Sequence, residues 1–262
     1  MDSYTWNLSY PVTYRHVWHR LYFDICFYLR AFQWMRGRKD MLIIAMTDPP
    51  LLPLVAALSG TRYVVWMQDV FPDIAVKAGV LPEWIATPIR WAMQWALRRA
   101  KRVVVIGRCM QAHLKTWGIE SVVIPNWVDS RKWPYTKPAG PKRAYLGRAG
   151  VIHGFHGHAV TNLPDEEFTK ACQDAQTHIV TLKQEMCGLS VPSKVYTALA
   201  CGRWVEWHGP LNSEAYLIAK EARAIAGYWT TSRGIRKYFE EHCDRKVQTE
   251  KWHQLLSSLP SR

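Results

Sequence analysis

The feature that most constrains this chain is its regular exchange of short apolar runs for stretches with helical period. MLIIAM (41–46), YVVWM (63–67) and the runs at 102–106 and 121–124 are too short for helices and too apolar for exposed loops. They suit buried parallel strands. Between them 51–58, 85–100 and 109–117 read as helices. Residues 14–36 come first as an amphipathic helix, with Trp18, Tyr22, Ile25, Leu29 and Phe32 at steps of three and four. Residues 131–141 carry three prolines, a glycine and no apolar period, the composition of a linker. Beyond it the alternation resumes, with strands expected at 144–146, 178–182 and 204–207 and helices at 165–175, 193–200, 213–222 and 233–257. The pattern predicts an α/β protein of two Rossmann-like lobes, each with a parallel sheet. The expected units are an amino-terminal lobe (1–135), a carboxy-terminal lobe (142–232) and a helical tail (233–262).

Composition narrows the function. With 262 residues, 48% apolar and 21% charged, the chain is globular rather than disordered. A formal charge of +13 admits three anionic partners: nucleic acid, a membrane surface or phosphorylated small molecules. The basic residues are spread along the chain without a Lys/Arg arm or a nucleic-acid motif, so nucleic acid is set aside. Six cysteines lie far apart with no CxxC pair, which reads as reduced thiols in a cytoplasmic protein. No secretory leader is read at the amino terminus. The apolar stretch 17–35 is interrupted by Arg20, Asp24 and Arg30 and is not expected to span a bilayer.

In open α/β sheets ligands bind beyond the carboxyl ends of strands, so the loops after strands are the places to search. One segment, GLSVPSKVYTALACG (188–202), stands out. Pro192 fits a first helical turn and Gly202 a helix C-cap. Ser193 and Lys194 at that helix start make a ready diphosphate site, or simply decorate a capped helix with a solvated lysine. Residues 147–158 form a Gly/His-rich loop with His153, His156 and His158, where substrate binding and adventitious metal binding both stand open.

Segment 188–202 resembles the "GL-VPSK-Y--LA-GRP" block of glycosyltransferase family four, in the subgroup that builds bacterial surface polysaccharides. Other blocks agree in order. TDPP (47–50) is similar to the family's "T-PP" turn, QDVFPD (68–73) with Gly79 to its "QD-(aromatic)-PD-----G" block, and IPNWVD (124–129) to the end of its first lobe. GRAGVIH (147–153) is similar to its "GNLG--H" loop, and Ser213 with Glu214 to its "SE" turn. The resemblance spans roughly residues 40–230. It implies a GT-B fold and a retaining hexosyltransferase that takes its sugar from a nucleotide diphosphate and needs no metal. It also implies roles. Gln68, Asp69 and His153 would face the reacting sugar. Arg148, Ser193 and Lys194 would hold the diphosphate, Ser213 and Glu214 the nucleotide, and Asp73 and Asn126 the acceptor side. The implied partners are a nucleotide sugar, a glycan or polyprenyl-linked acceptor, and an anionic membrane surface on which the protein would sit peripherally at the inner face.

Measured against that pattern, both lobes are reduced. The chain opens after the family's first strand–turn–helix unit, and a second gap falls between residues 158 and 165. Leu189 and Thr197 stand where many relatives carry two glutamates, and Trp204 replaces the proline after "GR". A non-catalytic remnant that binds a partner protein or glycan is therefore the alternative reading. A generic dinucleotide-binding protein is disfavoured, because no GxGxxG or P-loop is present. Fourteen tryptophans, with arginines on the helices at 14–36 and 85–102, suggest either a face on anionic lipid or aromatics in the core with solvated charges. Periodicity favours the core for most of them.

Overall fold

The computed structural model describes residues 17–140, 143–147, 152–155, 157, 159–161, 163–225 and 230–260, with side chains of the first helix from residue 22. The amino-terminal lobe runs α1 (Val17–Arg36), β1 (Leu42–Met46), α2 (Leu52–Ser59), β2 (Arg62–Met67), α3 (Asp73–Lys77), α4 (Glu83–Arg99), β3 (Val103–Val105), α5 (Arg108–Thr116) and β4 (Val122–Val123). The carboxy-terminal lobe runs β5 (Arg143–Leu146), β6 (Ala159–Val160), α6 (Asp165–Asp174), β7 (Thr177–Thr181), α7 (Lys194–Ala200), β8 (Trp204–His208) and α8 (Glu214–Glu221), and the chain closes with α9 (Ser232–His242) and α10 (Arg245–Ser257). The expected α/β architecture with two parallel sheets is what the chain forms. The strand β6 and the single-turn helix α3 are additions. Both are too short for a hydrophobic period to announce them.

The first sheet has the order β1-β2-β3-β4, all parallel. Sequential order sends every right-handed crossover the same way, so the connecting helices gather on one face. Val55 and Ala56 of α2, Leu97 of α4 and Met110 and Leu114 of α5 accordingly share one core with Ala45, Tyr63, Val65, Met67, Val103 and Val105. The opposite face, Val64 and Val104, is covered by Trp252 and Leu259 from the carboxy-terminal end. There Trp66 stacks on Trp127 (centroids 5.0 Å apart) and meets Trp252 edge-on at 5.3 Å.

The second sheet has the order β6-β5-β7-β8, also parallel. The chain leaves β5 on one side for β6 and returns on the other as β7. This is a topological switch point, and the crevice beyond the carboxyl ends of β5 and β7 is where such a sheet binds ligands.

The proline-rich connection between the sheets is pinned rather than free. Arg203, 1% exposed, donates from Nε to the Gln173 carbonyl at 3.0 Å and from Nη2 to the Thr136 carbonyl at 2.7 Å. Arg236 of α9 donates to the carbonyls of Ser130 and Trp133, and also to that of Ala200 at the end of α7. The tail serves both lobes: α9 packs on α7, while α10 crosses to the first sheet, where Arg62 reaches the Pro260 carbonyl at 2.6 Å.

The aromatic stripes of α1 and α4 face the other way from the expectation. Tyr22, Ile25 and Leu29 on α1 and Trp84, Trp91 and Trp95 on α4 are exposed. Small or slender side chains, Ala31 and Met35 on α1 and Ala86, Met93 and Ala96 on α4, form the buried faces instead. Alanines let these helices approach the neighbouring layer closely, leaving the α4 rings outside, while on α1 Phe27, Tyr28, Phe32 and Trp34 still pack partly against the core. The side chain of Trp18 lies outside the described residues.

Candidate functional site

The two lobes meet where the loop after β2 touches the segment leading into α7. Thr47 Oγ1, just beyond β1, accepts from the backbone N–H groups of Gln68 (2.9 Å) and Asp69 (3.2 Å) and so fixes that loop. Val70 N–H then donates to the Leu189 carbonyl of the other lobe at 2.9 Å. Asn126 Nδ2 donates to Gln68 Oε1 at 2.8 Å, while Gln68 Nε2 is buried with no partner among the described residues. Burial raises the Asp69 carboxyl above its usual range, the Asp48 charge adds to this, and a hydrogen bond with Ser190 opposes it. The neighbours Gln68 and Asp69 are thus brought beside Asn126, 58 residues on from Gln68.

A second cluster sits at the switch point of the carboxy-terminal sheet. Lys194 Nζ lies 3.6 Å from the centre of the Tyr145 ring, and Phe155 stacks on that ring at 3.8 Å. Gly147, with φ +96, brings its backbone so close that a Cβ there would lie 3.2 Å from Lys194 Cε. Burial brings the Lys194 ammonium down to about 8. His153 donates from Nδ1 to the Thr181 carbonyl at 3.2 Å, which fixes the tautomer and leaves Nε2 as the acceptor. Burial, with the Lys194 charge, holds this imidazole below its ordinary value. His153, Phe155, Thr181, Lys183 and His208 contribute to the wall of a neighbouring cavity of about 460 Å³, which Lys194 does not line. Lys194 itself borders a small pocket of about 20 Å³ with Leu146 and Thr197. Ser193 precedes α7 without a side-chain capping bond. Arg148, His156 and His158 lie outside the described residues.

Two further expectations land in ion pairs. Glu214, 2% exposed, accepts from Arg108 N–H (2.5 Å) and from the Arg108 guanidinium (3.1 Å) across the seam. Gly107 is required there, because a Cβ would stand 2.9 Å from that of Glu214. Ser213 caps α8 by accepting from Tyr216 N–H. Asp73 is bonded by Arg90 Nε (2.6 Å) and His113 Nε2 (3.0 Å). Burial alone would raise its carboxyl, but these two partners outweigh it and hold it low. Asp73 thereby braces α3 against α4 and α5. Sequence reading missed Arg108 and Tyr145. Arg108 follows a strand, which was a usable signal, whereas nothing local marks Tyr145 as the seat of Lys194.

These features define a two-lobed α/β protein with a polar seam between its sheets and a cationic crevice at the switch point of the second. Comparison with known proteins shows what the chain is similar to. Residues 6–127 match the family described as Glycosyl transferase 4-like domain. Over 230 aligned residues the chain is 26% identical to "Probable glycosyltransferase WbjE" of Pseudomonas aeruginosa, an alignment covering 64% of this chain and 57% of that protein. The chain thus spans little more than half the length of this curated relative. Among solved structures, "Spinosyn Forosaminyltransferase SpnP" aligns with a TM-score of 0.37 and 9% identity, covering 87% of this chain and 80% of that one.

Proposed function

We propose that this protein is a glycosyltransferase that moves a sugar from a nucleotide diphosphate to a glycan or polyprenyl-linked acceptor, with retention of configuration and without a metal. The observation that carries the reading is the seam itself. The lobe that matches a glycosyltransferase domain presents Gln68, Asp69 and Asn126 to the segment of the other lobe that leads into Lys194. In this reading the Lys194 ammonium, helped by Ser193 and Arg148, neutralises the diphosphate as the bond from C1 of the sugar to its phosphate oxygen breaks. The acceptor oxygen forms its bond to C1 on the same face, and its proton passes to the leaving phosphate. Gln68 Nε2 and His153 Nε2 are the groups offered to the sugar hydroxyls. Asp69 and Asn126 orient the acceptor, with Asp73 behind them. Glu214 and Ser213 meet the nucleotide ribose, and for Glu214 this requires Arg108 to release it.

The test is transfer itself. With a panel of nucleotide sugars and a polyprenyl-phosphate-sugar acceptor, one donor is expected to give a glycosylated product whose anomeric configuration, read by NMR, matches the donor. His153→Ala is expected to lower turnover by about 10²-fold while leaving the melting temperature close to wild type. No product from any donor, or product of inverted configuration, would sink the reading or its stereochemical part respectively.

A non-catalytic role is the second reading. Leu189 and Thr197 replace the expected glutamates, and among the described residues β1 is an edge strand, paired with β2 alone, with Ile44 42% exposed. That reading gains if no donor binds and a second protein co-purifies along this edge.

A further inference from the structure

Trp84, Trp91 and Trp95 are 77%, 66% and 39% exposed, an uncommon state for three large rings on one helix. With exposed Pro88, Arg98 and Arg99 they form a single stripe of helical period along α4, and the opposite face is buried. At 1.5 Å per residue the three rings extend over about 16 Å. Cations close the stripe at its carboxyl end. The Arg99 guanidinium lies over the Trp95 ring at 4.8 Å, and a shallow cavity of about 470 Å³ beside it is lined in part by Arg98, Lys101, Arg102 and Glu120. Three cations there face one carboxylate. Glu83, at the other end of the helix, is already paired with Arg90 at 2.8 Å. α4 packs against α2, whose Leu58 is exposed, and α2 packs against α1, whose Tyr22, Ile25 and Leu29 are exposed.

We propose that α4 docks on an anionic lipid surface, with Trp84, Trp91 and Trp95 in the headgroup–acyl boundary and Arg98, Lys101 and Arg102 on lipid phosphates. Indole rings favour that boundary because they are apolar bodies with one N–H donor, and basic residues beside them add attraction to an anionic leaflet. The stripe is a convex ridge along a helix rather than a pocket. A fluid bilayer meets such a ridge along its whole length, whereas a protein partner would need a matching groove and a charge-poor centre. The contact proposed is a peripheral one, and no helix among the described residues is long and apolar enough to cross a membrane. The proposal stands apart from the transferase reading, and its test contains no sugar donor.

The experiment is co-sedimentation of the full chain with phosphatidylcholine vesicles and with vesicles carrying about 30 mol% phosphatidylglycerol. Binding to the anionic vesicles is expected to be about tenfold tighter or more, and to weaken as salt rises from about 0.1 to about 0.5 M. The variant Trp84→Ser/Trp91→Ser/Trp95→Ser is expected to lose about tenfold in vesicle affinity with its circular dichroism unchanged, since all three rings are exposed. A second variant, Lys101→Gln/Arg102→Gln, is expected to lose most of the preference for anionic lipid, and one that keeps it in full overturns the proposal. Wild type that ignores anionic vesicles, or a triple-serine variant that binds them as wild type does, overturns the proposal. So does wild type that dimerises through these tryptophans, by analytical ultracentrifugation, without binding vesicles.

Discussion

His178 on β7 is 2% exposed, and its Nε2–H donates to the Cys172 carbonyl at 2.8 Å. Burial pushes this imidazole down to about 4, with the Cys172 bond opposing and the nearby Arg203 charge assisting. In the unfolded chain the ring titrates near its ordinary 6.5. The unfolded state therefore takes up a proton first as pH falls, and stability present above pH 6.5 is lost on the way to about pH 4. The loss attributable to this one side chain is roughly 3 kcal/mol. Urea denaturation at pH 7 and pH 4.5 checks it. His178→Gln keeps a donor for Cys172 but cannot titrate, so its pH slope is expected to be flatter than that of wild type by about that amount. At this scale Lys194 was legible as a candidate, because a lysine beside Pro-Ser at a helix start has few other duties. For Arg108 only the place after a strand was legible. Its pairing was not, because Glu214 lies 106 residues away and no local pattern carries such a contact.

Among the elements, α7 shows how a short helix is closed. Gly202 N–H donates to the Leu199 carbonyl and Arg203 N–H to that of Ala198, the paired bonds of a Schellman stop, with Gly202 at φ +67. A Cβ at this position would stand 2.5 Å from the Ser232 carbonyl oxygen, so α9 is seated against the glycine. Gly202→Ala combines a left-handed backbone with that clash and is expected to cost about 2 kcal/mol or more, read from the shift of the urea midpoint. The glycine's duty as a helix stop was legible from its place after an apolar helical run. Periodicity favoured the core for most of these rings, yet Trp84, Trp91 and Trp95 on α4 and Tyr22, Ile25 and Leu29 on α1 are exposed while Phe32 packs inward, because periodicity locates a face without saying which face is inward. Alanine-lined packing at Ala31, Ala86 and Ala96 decided that, and alanine carries little weight in such a reading.

At the scale of the whole molecule, the alternation of runs was enough to foresee two parallel sheets, because parallel strands need long crossovers and are buried on both faces. The return of α10 to the first sheet was not foreseeable. It depends on Trp252 meeting Trp66, and on Arg203 and Arg236 holding the linker so that the tail can pass between the lobes. The same closure puts the candidate site in the seam, with Gln68 and Asn126 on one wall and the segment into Lys194 on the other.

In the proposed function, Lys194 holds a nucleoside diphosphate between the seam and the crevice. With its ammonium at about 8, Lys194 is mostly charged at pH 7 and about one-tenth charged at pH 9. Calorimetric titration with a panel of nucleoside diphosphates is expected to find at least one ligand binding at pH 7 with a Kd below about 100 μM. Binding is expected to be up to about tenfold weaker at pH 9, and Lys194→Ala to be about 30-fold weaker than wild type at pH 7. A Lys194→Ala protein that binds as wild type does, or a wild type that binds none of the panel, would contradict the account.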